Sequence, residues 1–207
     1  MASFTSDVAF TASVKAMQEE LGSREQYQRF AESRDWSDTI SPDLAQFLQG
    51  VRSFYLGTAS AAARPYIQHR GGLPGFLCVL DAKTLAFADY GGNRQYITLG
   101  NLAENPPAFM FVMDYARRLR IKLWGKARVV TDDPDLLRRV TPVVSGSPER
   151  VIVFEVKAWD RNCPQHIPQL VPIEDVEATV VALKTQIASL EAEIARLNAQ
   201  APDREAR

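Results

Sequence analysis

The chain has 207 residues, of which 46% are hydrophobic and 24% charged, with a formal net charge of −1. This composition is typical of a soluble globular protein with one well-buried domain and an appendage, and its charge predicts no general attraction to nucleic acid or anionic membranes. No apolar run approaches the roughly 20 residues of a membrane span, the N-terminus lacks a secretory pattern, and two cysteines make neither a disulfide framework nor a zinc site. We therefore expect a cytoplasmic protein without a metal.

The first fifty residues are predicted to form a helical segment that packs on the rest of the fold. Apolar residues recur at helical spacing across residues 11–36, and Gly22 separates two helices there. Ser41 is a typical N-cap for a third, short helix, which Gly50 ends. The simplest role for these helices is packing rather than chemistry.

Six or seven short strands follow, with few long helices between them. They are predicted at residues 54–59, 65–70, 76–80, 84–89, 108–113, 118–124 and 151–156. This spacing indicates a mainly β fold with flanking helices, built as an antiparallel barrel instead of a doubly wound sheet. We assign residues 51–171 to this domain.

Residues 64–101 hold the densest concentration of polar side chains beside glycine. A strand at residues 84–89 runs into Gly91-Gly92-Asn93-Arg94-Gln95, where Asn93 is predicted to cap a helix over residues 94–99. A strand that ends in a Gly-Gly turn and opens a helix leaves backbone N–H groups beside Arg94, which suits a phosphate. The same turn also serves as an ordinary connection in many proteins.

Residues 158–168 are predicted to form a stiff, polar loop. They contain Trp159, Cys163 and His166, and two prolines restrict the backbone. Polar residues crowded into such a loop suggest a lid over a pocket. The alternatives are an exposed or structural histidine and a small buried cysteine.

The C-terminal segment has the most regular periodicity in the chain. Between residues 173 and 197 apolar residues alternate spacings of three and four over four heptads, which predicts a heptad helix at residues 172–200. β-Branched residues at the a positions and leucine at the later d positions favour a two-stranded parallel coiled coil. The alternative is a helix that packs back on its own barrel. Residues 201–207 are expected to be a disordered tail.

The order of these motifs resembles a known family. Gln68-His69-Arg70, then Phe87-Ala88-Asp89, Asn93-Arg94-Gln95 and Asn105-Pro106 resemble the FMN-binding split-barrel family typified by pyridoxamine 5'-phosphate oxidase, over about residues 54–130. The run Asn-Cys-Pro-Gln-His at residues 162–166 resembles one in an uncharacterised subfamily of these flavoproteins. The resemblance implies a split β-barrel that holds FMN at the interface of two identical chains.

The same resemblance implies which residues form the site. Arg94 matches a phosphate-binding arginine, and a planar guanidinium suits a phosphate dianion. His166 is the catalytic candidate, because a histidine exchanges a proton near neutral pH. The cofactor-binding candidates are Gln68, His69, Arg70, Gly71, Asp89, Asn93, Arg94, Gln95 and Arg120. The substrate-pocket candidates are Trp159, Asn162, Cys163 and Gln165.

Departures from the family pattern bear on the reaction. Leu73 stands where the vitamin B6 oxidases have a lysine, and their C-terminal arginine and histidine motif is missing. We therefore expect an FMN-dependent oxidoreductase for an unidentified small molecule, not a true pyridoxamine phosphate oxidase. One alternative is a non-catalytic protein that binds flavin or haem, with His69 and His166 as candidate haem ligands. Another is a structural dimer with a decayed site, since Gln95 replaces a usual lysine.

Overall fold

The computed structural model describes residues 4–141, 147–162 and 164–200. The chain begins with a short 3₁₀ helix at Thr5–Val8. The helices are α1 (Ala12–Glu20), α2 (Arg24–Ser33), α3 (Pro42–Gly50), α4 (Ile97–Glu104), α5 (Pro134–Val140) and α6 (Ile173–Gln200). The strands are β1 (Ser53–Ala59), β2 (Pro65–Gly71), β3 (Cys78–Asp81), β4 (Thr84–Tyr90), β5 (Pro107–Asp114), β6 (Leu119–Val130) and β7 (Pro148–Asn162). None of the helices in these ranges is long and apolar enough to cross a membrane.

The seven strands form one sheet in the order β2-β1-β5-β6-β7-β4-β3, and every neighbouring pair is antiparallel. Strands β2 and β3 lie at its two ends. The sheet curls so far that Arg70, on β2, reaches Asp89, on β4, with 2.5 Å between Arg70 Nη1 and Asp89 Oδ1. Side chains therefore join strands that no backbone ladder joins. The predicted mainly β fold with flanking helices, a split barrel followed by a C-terminal helix, is confirmed.

The core lies inside this curled sheet and is closed on one side by α3. Ser41 Oγ accepts a hydrogen bond from the Leu44 N–H at 3.2 Å, so it is the N-cap that the sequence predicted. Leu48 belongs to a buried hydrophobic cluster that also contains inward-facing residues of five strands. The largest fully buried members of this cluster are Leu48, Phe54, Leu56, Leu77, Leu85, Phe87, Met110, Val112, Leu123, Ile152 and Phe154.

Gly125 occupies a close approach between β6 and β7, where the pairing register shifts. A Cβ at this position would overlap the Glu155 carbonyl oxygen and lie 2.6 Å from a ring carbon of Phe154. Neither the backbone carbonyl nor the buried ring can move away without disturbing the sheet or the core. Gly125→Ala should therefore lower the free energy of unfolding, measured in urea, by about 2 kcal/mol. Gly57→Ala is the matched control, because its Cβ would lie 3.5 Å from the nearest atom, an ordinary contact. Equal stability of the two variants would contradict this account.

The N-terminal segment contacts the outer face of β6 through aromatic rings. Trp36 stacks on Trp124 with 4.6 Å between ring centroids, and Phe10 lies 5.0 Å from Trp36. The Lys122 ammonium lies 5.4 Å from the Trp124 ring centroid and 3.3 Å from Asp160 Oδ2. The face of β6 that carries Lys122 and Trp124 is therefore partly covered by the N-terminal segment.

A second link ties the same segment to the β3–β4 turn. Lys83 donates a hydrogen bond to Asp38, and this bond lowers the pKa of the Asp38 carboxyl. Both side chains are about half exposed, so the pair contributes little to stability.

Strand β7 is longer than predicted. The sequence predicted that residues 158–168 form a loop, but β7 continues through Asn162, and residues 158–162 pair with β6. Trp159 is held in this strand by its indole N–H, which donates to the Thr39 carbonyl at 2.9 Å. A lid that begins at residue 158 is therefore wrong, because backbone pairing and the Trp159 hydrogen bond fix that part of the chain.

Candidate functional site

Three side chains from β2 and α4 form a hydrogen-bonded chain beside the end of β4. Alternation along β2 turns Gln68 and Arg70 to its partly buried face. Arg70 Nη2 donates to Gln68 Oε1 at 2.8 Å, and the Thr98 hydroxyl donates to the same oxygen at 2.6 Å. The orientation of Gln68 is therefore set by two donors, one from each neighbouring element.

Asp89 is a buried carboxylate between two guanidinium groups. Its side chain is 7% exposed, and Arg70 Nη1 lies 2.5 Å from Oδ1. Arg150, which is opposite Asp89 in the β4–β7 ladder, places Nε 3.6 Å from Oδ2 and also pairs with Glu149. Two cations thus compensate the charge of Asp89, which removes the repulsion that a lone carboxylate would exert on a phosphate.

The cluster keeps an excess of positive charge. Arg70, Arg94 and Arg150 contribute three guanidinium groups against the carboxylates of Asp89 and Glu149. In addition, Arg70 Nε is buried and has no hydrogen-bond partner among the described residues. A buried donor without a partner costs free energy unless something accepts from it. The arrangement suits an anionic ligand with hydrogen-bond acceptors.

The turn between β4 and α4 is built from left-handed backbone. Gly92, Arg94 and Tyr96 have φ values of 49°, 57° and 54°. Such values are unfavourable for arginine and tyrosine and are often found at functional sites. Arg94 itself is exposed at the tip of this turn.

The predicted N-cap of the next helix is wrong. Asn93 Oδ1 accepts from the Gln95 N–H at 3.2 Å and closes a turn, so α4 begins later, at Ile97, with Tyr96 as its N-cap. Asparagine side chains satisfy such turns as readily as they cap helices. The backbone N–H groups beside Arg94 therefore belong to a turn, not to a first helical turn.

Helix α4 is fixed to the sheet by amides. Asn101 Nδ2 donates to Thr58 Oγ1 at 3.0 Å, and Asn105 Nδ2 donates to the Ala59 carbonyl at 3.1 Å. These bonds hold Thr98, which is buried, against Gln68. The position of the site thus depends on β1 as well as on β2 and β4.

Two adjoining cavities open on either side of Arg70. The smaller, of about 210 Å³, is lined by Tyr66, Gln68, Arg70, Asp89 and residues 90–99. The larger, of about 380 Å³, is lined by Gln68, His69, Arg70, Gly71, Gly72, Phe76, Phe87, Ala88, Tyr90, Gly92 and Val140. The smaller cavity is lined mostly by polar groups, whereas the lining of the larger cavity also includes aromatic and aliphatic side chains. Their combined space is of the order that small-molecule sites have, about 300–1,000 Å³.

A third cavity of about 590 Å³ lies elsewhere, between α3, the β5–β6 turn and residues 170–172. It contains none of the predicted site residues. Its paired charges are Asp114, at the end of β5, and Arg117, which is exposed on the following turn. We therefore place the candidate site at Arg70.

Eight of the nine predicted cofactor residues line the two cavities. They are Gln68, His69, Arg70, Gly71, Asp89, Asn93, Arg94 and Gln95. Arg120 lines neither; it lies on β6, with its guanidinium carbon 5.9 Å from the Phe111 ring centroid. Its role toward a cofactor stays a prediction.

The other predicted residues lie apart from these cavities within the chain. Trp159 and Asn162 are in β7, and Gln165 and His166 follow it in an exposed turn, where His166 has a φ of 62°. None of the four lines either cavity at Arg70. Cys163 lies outside the described residues. The catalytic and substrate-pocket assignments therefore stay predictions.

The remaining cysteine, Cys78, is in β3. Its thiol donates to the Gly75 carbonyl at 3.3 Å, and burial raises the pKa of this thiol. A raised pKa leaves less thiolate at neutral pH, which makes Cys78 a poor nucleophile. Its position favours a packing role.

Two residues that hold the cluster together, Thr98 and Arg150, are not among the residues predicted from the sequence. Thr98 follows the polar turn within the same stretch, so its hydroxyl was a detectable candidate. Arg150 is 61 positions after Asp89, and only the β4–β7 register brings them together. No local signal in the sequence announces that pairing.

Solved structures with a similar fold exist. HupZ from Group A Streptococcus superposes with a TM-score of 0.51 at 16% identity, covering 64% of this chain and 99% of HupZ. An FMN-binding protein from Syntrophomonas wolfei subsp. wolfei gives a TM-score of 0.46 at 14% identity, covering 71% of this chain and 97% of that protein. At such identities the likeness to HupZ establishes shared architecture alone. No curated protein sequence matches.

The sequence itself matches a family model. The match to the model described as pyridoxamine 5'-phosphate oxidase spans residues 40–163, which is more than half of the chain. This range contains the whole sheet and every residue that lines the two cavities at Arg70. With the split-barrel fold and the cationic site on the same residues, the chain belongs to the pyridoxamine 5'-phosphate oxidase family.

Proposed function

We propose that this protein binds FMN in the two cavities at Arg70 and acts as an oxidoreductase on a small molecule. The observation that carries the proposal is the cationic cluster at Arg70. Among the described residues, Asp89 is its one deeply buried carboxylate, and Arg70 and Arg150 already compensate the charge of Asp89. The remaining positive charge suits the phosphate of FMN.

Arg94 and Arg70 have different tasks in this proposal. The terminal nitrogens of Arg70 donate to Asp89 and Gln68, so Arg70 is a fixed part of the wall. Arg94 is exposed at the turn and lines the smaller cavity, so its guanidinium is available to a phosphate. The backbone N–H groups of Arg94 and Gln95 already donate within the turn, to the Gly91 carbonyl and to Asn93 Oδ1.

The larger cavity suits the flavin ring. Phe76, Phe87 and Val140 give it an apolar lining, while Gly71 and Gly72 present backbone at its edge. A Cβ at Gly72 would lie 2.7 Å from Phe76 Cβ, so the chain has no room for a side chain there. A flat aromatic ring with a polar edge matches such a mixture of apolar walls and backbone groups.

A second copy of the chain is a natural cover for this site. Ile67 is 68% exposed on β2, and the apolar side chains of Leu73, Tyr90 and Tyr96 are also exposed near the cavities. Exposed apolar residues beside a pocket are typical of an interaction surface. We therefore propose a homodimer with a flavin at its interface.

When bound, FMN supplies the transfer of a hydride or of single electrons. The chain contributes position and charge: Arg94 binds the phosphate, the Thr98–Gln68–Arg70 chain orients polar groups, and Phe87 excludes water.

His166 lies outside both cavities of its own chain, so its role in proton transfer stays a prediction. Its replacement by alanine or asparagine should slow turnover and leave FMN bound.

The substrate is not pyridoxamine phosphate in this proposal. Leu73, where the vitamin B6 oxidases carry a lysine, is exposed and offers no charge to a second phosphate. Family membership therefore supports FMN as the cofactor more strongly than it supports pyridoxamine phosphate as the substrate.

The experiment is a visible absorption spectrum of the purified protein, recorded before and after addition of FMN and removal of the excess. Retained flavin bands, followed by their bleaching with NADH or NADPH and recovery with a small acceptor, would support an oxidoreductase. Retained flavin that no donor reduces would favour a non-catalytic binding protein. A protein that keeps no FMN contradicts the proposal, and an intense single Soret band would instead indicate haem.

A further inference from the structure

The 28-residue helix α6 carries an apolar stripe that the other described residues leave exposed. The stripe consists of the a and d positions of four heptads, and its members are between 40% and 70% exposed. They are Ile173, Val176, Val180, Leu183, Ile187, Leu190, Ile194 and Leu197. Exposed apolar surface on this scale is unfavourable in water and typical of an interaction site.

The side chains in the stripe specify the kind of partner. The a positions hold Ile173, Val180, Ile187 and Ile194, and the d positions hold Val176, Leu183, Leu190 and Leu197. β-Branched residues at a with leucine at d favour a parallel two-stranded coil over higher oligomers. The residue types at the a and d positions therefore fit α6 of a second copy of the chain as the partner.

The charges beside the stripe favour the parallel arrangement. The e positions include Glu177, Lys184 and Glu191, and the g positions include Gln186 and Glu193. In a parallel pair, each g residue faces the e residue that lies five positions later in the partner helix. Gln186 then faces Glu191 of the partner, and no two like charges face each other. In a fully overlapped antiparallel pair Glu177 would face Glu191, and Lys184 would face its own copy. Like charges at these positions are destabilising.

We propose that α6 pairs with α6 of a second copy of this chain as a parallel, in-register, two-stranded coiled coil. The pairing covers the a and d side chains and requires neither cofactor nor substrate. It shares no residue with the lining of the Arg70 cavities or with the exposed apolar side chains beside them. The two α6 helices emerge side by side, so the barrels that they follow are held at the same end of the coil.

Two adjacent valines give a matched pair of variants. Val180 is an a residue and Val181 is a b residue, on the outside of the coil. Val180→Asp puts two carboxylates in the seam, whereas Val181→Asp makes the same chemical change where it faces water. Hydrogen exchange of α6 amides in the full chain should become roughly tenfold faster or more in Val180→Asp. Val181→Asp should stay near the wild-type rate, and the sheet amides report that the barrel is intact in both.

Cross-linking tests the orientation. In a chain with both native cysteines replaced by alanine, Leu197→Cys places two thiols opposite each other in a parallel pair, within disulfide reach. Mild oxidation should then yield a covalent dimer, and Ala192→Cys, at an outer f position, should yield little. In an antiparallel pair or a helix packed on its own barrel, residue 197 has no copy of itself nearby. Absence of the Leu197→Cys cross-link, or equal exchange in the two valine variants, overturns the proposal.

Discussion

Replacing Asp89 by alanine is expected to destabilise the protein by about 4 kcal/mol, because it leaves the buried guanidinium of Arg70 without a counterion and leaves Arg150 with Glu149 alone. The Asp89 side chain is 7% exposed, and Arg70 and Arg150 are only 13% and 14% exposed. Urea unfolding followed by tryptophan fluorescence measures the loss, and Asp89→Asn should fall between alanine and wild type because it keeps a hydrogen-bond acceptor.

Asp135→Ala is the matched control for this variant. Asp135 also pairs with an arginine, Arg138, but its side chain is 84% exposed on α5. Water and salt screen such a pair, so its loss should cost well below 1 kcal/mol. Adding Arg70→Met to Asp89→Ala should restore part of the stability, since it removes one uncompensated charge. If the two aspartate variants lose the same small amount, the buried network does not stabilise the barrel.

The local part of the candidate site was predictable from sequence. Glycine turns, the alternation that turns Gln68 and Arg70 to one face, and the exposed Arg94 all lie within residues 64–101, and their positions follow from short-range rules. The pairing of Asp89 with Arg150 was not predictable, because it depends on which strand lies beside β4. A lone carboxylate at Asp89 would repel a phosphate, and the β4–β7 register places Arg150 beside it.

The two wrong predictions have a common physical cause. Asn93 is as suited to closing a turn as to capping a helix, and the structure uses the first option. Residues 158–162 contain few apolar side chains, yet they form strand because β6 is long enough to offer backbone partners. Local composition permits both conformations at each of these places. Contacts with segments that are distant in sequence determine which conformation forms.

Replacing Arg94 by alanine should weaken FMN binding by about a hundredfold, which corresponds to the loss of a charge-assisted contact worth about 3 kcal/mol. The effect should fall on affinity and not on folding, because Arg94 is exposed and lies at the tip of the turn. Quenching of flavin fluorescence on titration gives the dissociation constants. Arg29→Ala is the control, since it removes an exposed guanidinium from α2 and lines neither cavity at Arg70.

Riboflavin separates a phosphate contact from any other effect of the Arg94 substitution. It has the ring and the ribityl chain of FMN but no phosphate, so wild type and Arg94→Ala should bind it with equal affinity. A variant that loses both ligands would mean that the substitution alters the turn, whose left-handed backbone at Arg94 and Tyr96 depends on local contacts. A variant that keeps full FMN affinity would exclude Arg94 from the phosphate site. A selective loss of FMN binding assigns the phosphate to the turn between β4 and α4.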